Sequence, residues 1–246
     1  LHRQGSMAGL AEQFGEAAAV LLGDLALVWS DHMLHNSGLS HESLTAALRI
    51  HDEMRIELLA GQYLDVREAG EREHSVERSL RIARYKSGKY TIERPLHLGA
   101  VIARPSATEH SELLNVLSAY GLPLGEAFQL RDDMLGIFGD PKETGKPAGD
   151  DLREGKRTVL MAMTMEKATE SARAELSAHL GKPDLSPEKI ESLRTLIVET
   201  GAIADVEKLI DRLGEESVAA AHSAAINESA RPFLLALAET AIRRSY

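Results

Sequence analysis

Helical spacing of apolar residues runs through almost the whole chain and limits the folds open to it more than any other feature. In residues 11–35 the apolar side chains recur every three or four positions, as on one broad face of a helix. Further segments show the same spacing: 43–69, 75–85, 110–120, 124–138, 158–168, 187–200, 205–225 and 230–244. Alternating strand patterns and Asn-Gly or Asp-Gly hairpin turns are missing from the sequence. The sequence therefore predicts an all-α protein, a bundle of antiparallel helices around a central cavity.

Two stretches depart from the helical spacing. Residues 86–99 are less regular, and we expect an irregular connection there. Residues 139–157 form a polar segment rich in glycine, proline, lysine and aspartate. A loop of that length inside a domain is usually functional or disordered. The other connectors are short and no internal repeat occurs, so we expect residues 1–246 to form one domain.

Charge and cysteine content exclude several classes of protein. The 246 residues carry a net charge of −10, and the basic residues are scattered among acidic ones. A nucleic-acid-binding protein would show a basic patch or stripe, so we expect no nucleic-acid partner. An acidic chain can still bind anionic substrates when metal ions bridge the like charges. The chain has no cysteine, which excludes disulfides and thiolate metal sites and is compatible with the cytoplasm, where we place the protein.

The N-terminal helical segment contains the longest apolar stretch, residues 17–29. Gly23 and Asp24 interrupt it, and it is shorter than the ~20 residues that a membrane-spanning helix needs. The N-terminus also lacks a secretory pattern. The sequence therefore predicts no membrane span.

The residues most suggestive of chemistry lie in segment 128–158. Asp132 and Asp133 stand at the end of a helical pattern, and Lys146 and Lys156 come after them in the polar segment. Oxygen ligands suit Mg²⁺, which typically takes one or two carboxylates together with substrate phosphates. Lysines can neutralise the remaining phosphate charge. An isolated acidic pair in an acidic protein would be an ordinary solvated surface, but the whole segment favours a metal–diphosphate site.

With this segment the sequence resembles the trans-isoprenyl diphosphate synthases, also called polyprenyl synthetases. Residues 128–158 are similar to the second aspartate-rich motif of that family and the Gly-Lys loop behind it. Three shorter segments resemble its Lys-Thr, Gly-Gln-x-x-Asp and Leu-Gly-Asp segments in matching order and spacing: 85–91 (YKSGKYT, with Ser87 for the threonine), 61–65 (GQYLD) and 22–24 (LGD). The resemblance implies an isoprenoid-synthase-type helix bundle.

The resemblance also implies an activity and its residues. The reaction is head-to-tail transfer of an allylic diphosphate to isopentenyl diphosphate, by Mg²⁺-assisted ionisation of the allylic substrate. The implied roles are metal ligation by Asp132 and Asp133, diphosphate binding by Lys86, Lys146 and Lys156, and a catalytic position near the reacting carbons for Lys86, Ser87 and Gln129. The family also implies a homodimer, and residues 11–35 and 43–59 are the expected interface.

The sequence departs from the family pattern at two places. The second motif is Asp-Asp-x-x-Asp, but its fifth position here is Gly136, and Asp140 is a candidate for a partial substitute. The first aspartate-rich motif is not in the sequence. Because residues 1–3 resemble the family's residues downstream of that motif, we expect the chain to begin just after it, with several helices preceding residue 1; a naturally short chain is the alternative.

Three other functions are compatible with the sequence. Lost aspartates would support a non-catalytic subunit of a heteromeric synthase, although the intact loop with Lys146 and the Asp150-Asp151 pair favours an active enzyme. A terpene-cyclase-like lyase would share the metal-driven ionisation, but would not need the Gly-Lys and Lys-Ser segments. A plain helical scaffold would leave the polar segment without a role.

Overall fold

The computed structural model describes residues 5, 9–69, 75–106, 111–140 and 149–243. Within these ranges the chain is helical and contains no strand, which confirms the predicted all-α class. The helices are α1 (Ala11–His35), α2 (His41–Ala69), α3 (Val76–Ala83), a π-helix (Arg84–Glu93), α4 (Arg94–Ala103), α5 (Glu112–Phe138), α6 (Asp150–Glu154), α7 (Val159–Lys167), α8 (Glu170–His179), α9 (Pro187–Glu199), α10 (Ala202–Ala221) and α11 (Arg231–Ile242).

Side-chain caps fix the start of several helices. The hydroxyls of Ser111, Thr158 and Ser186 each accept a hydrogen bond from the backbone N–H three residues later, at 3.2–3.3 Å. Thr169 caps α8 in the same way, a helix that the apolar spacing does not predict. Only Leu176 is buried in α8, so its sequence carries almost no apolar stripe. The N-cap residue Thr169 was therefore the clearest sign of a helix in this part of the sequence.

Helix α5 corrects one prediction. The sequence predicts two helices separated near Gly121 and Pro123, but α5 continues through both positions. A proline inside a helix removes one backbone hydrogen bond and usually kinks or ends it. Here Tyr120 and Leu124, on either side, are completely buried. Burial of two large side chains stabilises the continuous helix more than the proline destabilises it.

Residues 86–99 correct a second prediction, because they are helical rather than irregular. The chain runs from α3 into a π-helix of 10 residues and then directly into α4. Most π-helices are single turns inside α-helices, and they often occur at functional sites. Their hydrogen bonds link residues five apart, so their apolar side chains do not follow a period of 3.6. A search for α-helical spacing therefore overlooks this segment.

Helix α5 lies at the centre of the bundle. Leu130, Met134 and Ile137 of α5 are at most 1% exposed and belong to one core cluster with Leu160 of α7 and Ile210 of α10. The other face of α5 packs against the π-helix. The last two turns of α5 are thereby held rigidly, and these turns carry the acidic pair.

Helix α1 differs from the rest of the bundle, because none of its residues is buried. Polar contacts join it to α2, among them Ser30 with His51 at 2.9 Å and Asp31 with Arg55 at 2.9 Å. By length and composition alone α1 is apolar enough to cross a membrane, and it is the one such helix in the described ranges. Its apolar surface is therefore available to a partner.

Candidate active site

The end of α5 places Asp132 and Asp133 on different sides of the helix. Asp132 is exposed, whereas Asp133 is buried. Gln129 lies one turn earlier, and its amide Nε2 donates to Asp133 Oδ1 at 2.7 Å. Because Gln129 uses its N–H group on Asp133, its carbonyl oxygen is the end left to face a substrate. The two predicted residues Gln129 and Asp133 therefore form one unit.

Helix α6 brings a second carboxylate to the same place. Gly149 and Gly155 flank α6, both with φ +70°, a backbone conformation that glycine adopts readily. Asp151 is buried and forms an ion pair with Lys156, which also lies 3.2 Å from Glu154. Burial alone would lower the pKa of Lys156, but Asp151 and Glu154 outweigh it and raise that pKa. Lys156 is thus a held, permanently charged ammonium group.

The buried carboxyl of Asp133 is electrostatically strained. Burial raises its pKa to about 7, and the negative charges of Asp151 and Asp132 act in the same direction. Gln129 and Lys156 oppose the shift without cancelling it. A cation at this point would favour the charged carboxylate, since an opposite charge nearby offsets both desolvation and like-charge repulsion.

Gly136, the position where the motif lacks its third aspartate, lies directly against Asp151. A Cβ atom added at Gly136 would collide with the Asp151 carboxylate, whose atoms are the three nearest to it. Asp140 does not take this place: it is exposed and lies beyond Gly139, where α5 has ended. The carboxylate next to the empty motif position therefore comes from α6.

The π-helix carries Lys86 and Ser87 between α2 and α5. Lys86 Nζ donates to Asp65 Oδ2 of α2 at 2.6 Å, and Ser87 is buried. Glycines allow this close approach: a Cβ on Gly61 of α2 would collide with the backbone of Lys86, and one on Gly125 of α5 with the backbone of Gly88. Gly125 lies one turn before Gln129, so the Lys86–Ser87 segment and Gln129 share the same side of α5.

Ion pairs hold the π-helix from the α2 side as well. Lys89 and Arg94 both donate to the Glu57 carboxylate, each with a shortest contact of 2.7 Å. Burial would raise the pKa of Glu57, but the two cations outweigh it and lower that pKa. On α5, Glu126 accepts from Arg84. These contacts fix the π-helix without involving Lys86 or Ser87.

The structure thus brings together Gln129, Asp133 and Lys156 through Asp151. Lys146 lies outside the described residues. Sequence reasoning counted the Asp150-Asp151 pair among the residues that favour a metal–diphosphate site, but it did not place Asp151 next to Gly136. Within the described ranges, no three His, Cys, Asp or Glu side chains converge into a preformed metal site.

Comparison with known proteins agrees with the geometry. Residues 3–197 match the model of the polyprenyl synthetase family. Among curated proteins, the geranylfarnesyl diphosphate synthase of Aeropyrum pernix is 34% identical over 193 residues, which cover 77% of this chain and 58% of that protein. The geranylgeranyl diphosphate synthase of Mycobacterium tuberculosis is 29% identical over 232 residues, covering 94% of this chain and 63% of that one.

A solved structure is similar over nearly the entire chain. The geranylgeranyl pyrophosphate synthase of Corynebacterium glutamicum, in complex with isoprenyl diphosphate and magnesium, has a TM-score of 0.93 and 43% identity, covering 99% of this chain and 68% of that chain. The polyprenyl synthetase of Streptomyces coelicolor has a TM-score of 0.79 and 26% identity, covering 93% and 67%. The chain therefore spans about 58–68% of the proteins it matches here. On the family match and these similarities, the chain belongs to the polyprenyl synthetase family.

Proposed function

We propose that this protein is a trans-prenyltransferase that joins isopentenyl diphosphate to an allylic diphosphate and releases a longer polyprenyl diphosphate. The observation that carries the proposal is the site at the end of α5, where Gln129, Asp133, Asp151 and Lys156 are linked. The relatives named as geranylgeranyl and geranylfarnesyl diphosphate synthases support the same reaction class. We also propose that the described residues belong to a single domain.

We assign Mg²⁺ to Asp132 and Asp133. Both offer oxygen ligands, and burial together with the nearby charges of Asp151 and Asp132 raises the pKa of Asp133, an effect that a cation would offset. The related structure from Corynebacterium glutamicum was solved with magnesium, which agrees with this choice. When bound, Mg²⁺ would neutralise the charge that develops on the leaving diphosphate.

The protein's own side chains would bind and orient the substrates. Lys156, held by Asp151, and Lys86, held by Asp65, are charged donors that suit the allylic diphosphate. Lys146 would be a third such donor. As the allylic C–O bond breaks, the Gln129 carbonyl and the Ser87 hydroxyl present their negative ends to the carbocation. The alkene of isopentenyl diphosphate then attacks, and the released diphosphate removes the proton.

The activity test is direct prenyl transfer. Full-length protein, Mg²⁺ and labelled isopentenyl diphosphate would be incubated with dimethylallyl, geranyl or farnesyl diphosphate, and the products sized by mass. A discrete set of longer diphosphates is expected. Asp132→Ala should lower turnover by about two orders of magnitude or more, with an unchanged helical spectrum.

A matched control is Asp205→Asn, which removes a carboxylate that pairs with Lys167 and Lys208, two residues with no role in the proposed site. Its turnover should equal that of the wild type. Unchanged turnover in Asp132→Ala would contradict the metal assignment. A folded protein that yields cyclic hydrocarbons would support a cyclase, and activity only after addition of a catalytic partner would support a non-catalytic subunit.

We further propose that a second copy of the chain covers α1 and the exposed side of α2. Large apolar side chains are exposed on both helices: Val20, Leu21, Leu22, Val28, Trp29 and Met33 on α1, and Ile56, Leu59, Tyr63 and Val66 on α2. Monomers rarely expose an apolar patch of this extent. Analytical ultracentrifugation should show a dimer that Trp29→Glu disrupts; a wild-type monomer that binds lipid vesicles would instead assign the surface to a membrane. The cytoplasmic location remains a prediction.

A further inference from the structure

A stripe of four residues on α2 lies against the π-helix. Its members follow one another at intervals of four positions, which places them on one face of an α-helix: Glu53, Glu57, Gly61 and Asp65. The two glutamates pair with Lys89 or Arg94, and the glycine and the aspartate lie against Lys86. This face of α2 therefore contacts the chain from a predicted site residue, Lys86, to the start of α4.

Glu57 is the least exposed carboxylate of the stripe, with 18% of its side chain exposed against 38% for Glu53 and 42% for Asp65. Its Oε1 accepts a hydrogen bond from Lys89 Nζ at 2.7 Å. Arg94 donates to both of its oxygens, from Nε to Oε2 at 2.7 Å and from Nη2 to Oε1 at 2.8 Å. Glu57 therefore bridges two positions of the segment, and water is largely kept away from the bridge.

The spacing of the two bridged cations depends on the π-helical conformation. Lys89 and Arg94 are five residues apart, and the Arg94 N–H donates to the Lys89 carbonyl, the hydrogen bond that defines a π-helix. In an α-helix of 3.6 residues per turn, five residues correspond to about 140° beyond one full turn. The two side chains would then lie on different faces, so the bridge and the π-helical turn stabilise each other.

We propose that Glu57 is a positioning residue, because its bridge keeps the chain π-helical between Lys89 and Arg94. Lys86 and Ser87 lie immediately before this turn, so its conformation decides where they face. Without the bridge the turn can relax toward α-helical spacing, which rotates these residues relative to α5. The inference rests on the proposed function and deepens it, since it adds a residue of α2 that acts on the reaction through the π-helix.

Loss of the bridge should lower turnover. Glu57→Gln keeps the shape of the side chain and removes its charge, so the two cations are no longer held together. A displacement of about 1 Å near the reacting atoms can lower the rate about 100-fold, and we expect kcat to fall by about 10- to 100-fold. KM for isopentenyl diphosphate should change by less than about threefold, because no residue of the π-helix is assigned to that substrate.

Hydrogen exchange measures the conformation of the segment independently of turnover. In full-length Glu57→Gln, exchange followed by mass spectrometry should be at least about tenfold faster in residues 84–94 than in the wild type. Exchange in α10, which the bridge does not touch, should keep its wild-type rate. Both measurements are made well below the melting temperature of each variant, so that a loss of global stability does not enter them.

Lys89→Gln breaks the same bridge from the π-helix and keeps the contact of Glu57 with Arg94, so it provides a second variant with a milder effect on folding. It should lower kcat by about tenfold. Because both residues act through one bridge, the double variant should lie within about twofold of the lower single variant. Additive losses in kcat would contradict a common route through the bridge.

The matched control is Glu216→Gln, the same substitution in an exposed pair with Arg212. Its kcat and its exchange in residues 84–94 should equal those of the wild type. A folded Glu57→Gln whose kcat stays within about twofold of the wild type would overturn the inference, even with faster exchange, since Glu57 would then serve stability alone. A lower kcat with unchanged exchange would also overturn it.

The proposed function is tested separately by the wild type. If the wild type elongates no prenyl diphosphate, the function fails, whereas exchange in residues 84–94 still decides whether Glu57 holds the π-helix. If the wild type elongates and Glu57→Gln does so equally well, the function stands and the positioning role of Glu57 fails.

Discussion

The two sides of the candidate active site both contain glycines with close neighbours, but on one side the neighbour is backbone and on the other it is a side chain. On the π-helix side, Gly61 and Gly125 allow the backbone of the π-helix to come close. The atoms nearest to an added Cβ belong to the main chain at Lys86 and Gly88. At the end of α5, Gly136 admits the tip of one side chain, Asp151. A backbone can yield only if its helix moves, whereas a carboxylate can rotate away. We therefore expect the first set to control stability and Gly136 to control chemistry.

The largest effect is expected for Gly125→Ala. Its new methyl group would force α5 and the π-helix apart, and both are packed on their other faces by buried core residues. Overpacking against backbone should lower the free energy of unfolding by about 3 kcal/mol or more. Urea unfolding followed by circular dichroism would measure it.

Gly99→Ala is the control for the effect of helix propensity on the free energy of unfolding. Its exposed position has open space, so the substitution should change the free energy of unfolding by less than about 1 kcal/mol, in the stabilising direction. If Gly125→Ala were no more destabilising than this control, the π-helix would not be held by close backbone contact.

A somewhat smaller decrease in the free energy of unfolding is expected when Glu57 of α2 can no longer form its ion pairs with Lys89 and Arg94. Glu57→Gln would remove the carboxylate that Lys89 and Arg94 share, both of which are only 13% exposed. Lys89 would keep Glu93 at 3.3 Å, and Arg94 would keep Glu53 at 3.0 Å. Removal of one partner from a largely buried group should cost about 2 kcal/mol, less than for a fully buried pair because water reaches part of it.

The pH dependence of this loss has a definite sign. The pKa of Glu57 is lowered in the folded protein, so its stabilisation is present above the ordinary glutamate pKa of 4.5 and is lost as the pH falls below it. The difference between Glu57→Gln and the wild type should therefore shrink in acid. The exposed pair Arg212–Glu216 is the control, and Glu216→Gln should have only a small fraction of the effect. A difference that grows in acid would contradict the assignment.

The sequence predicted much of the fold because most helices place apolar residues on one face, as in α10, where Val206, Ile210 and Leu213 are buried at helical spacing. It failed where local rules are overridden: at Pro123, where core packing outweighs a helix breaker, and in the π-helix, whose period is not 3.6. Motif resemblance predicted Gln129 and Asp133 as site residues, and the structure joins them by a hydrogen bond. The resemblance could not identify Asp151 as a neighbour of Gly136, because only the three-dimensional path of the chain through α6 brings them together.

Protein stability should depend on pH in opposite directions on the two sides, because the pKa of Asp133 is raised and that of Glu57 is lowered. Its pKa is about 7 in the folded protein and close to 3.8 ordinarily, so the folded state keeps a proton that the unfolded chain releases. Without metal, wild-type stability should fall by up to about 1.4 kcal/mol for each pH unit between about 4 and 7. Asp133→Asn should remove that fall.

Thermal melting in a chelating buffer across this range would measure the difference. Mg²⁺ with diphosphate should restore stability at the higher pH in the wild type but not in Asp133→Asn, since a bound cation favours the charged carboxylate. Asp205 is an instructive control: Lys167 lowers its pKa, so its contribution to stability has the opposite pH dependence. An Asp133→Asn variant with the wild-type pH profile would show that this carboxyl is not the titrating group.

The smallest change in stability is expected for Gly136→Ala, and it is the most direct test of the comparison. The new methyl group meets only the Asp151 carboxylate, which can rotate, and alanine is the better helix former, so the free energy of unfolding should change by less than about 1 kcal/mol. Binding of Mn²⁺, a paramagnetic substitute for Mg²⁺, together with inorganic diphosphate should nevertheless weaken, because the methyl group displaces the carboxylate that pairs with Lys156. If Gly136→Ala instead unfolded as readily as Gly125→Ala, Asp151 would be as immobile as backbone, and both sides of the site would serve stability in the same way.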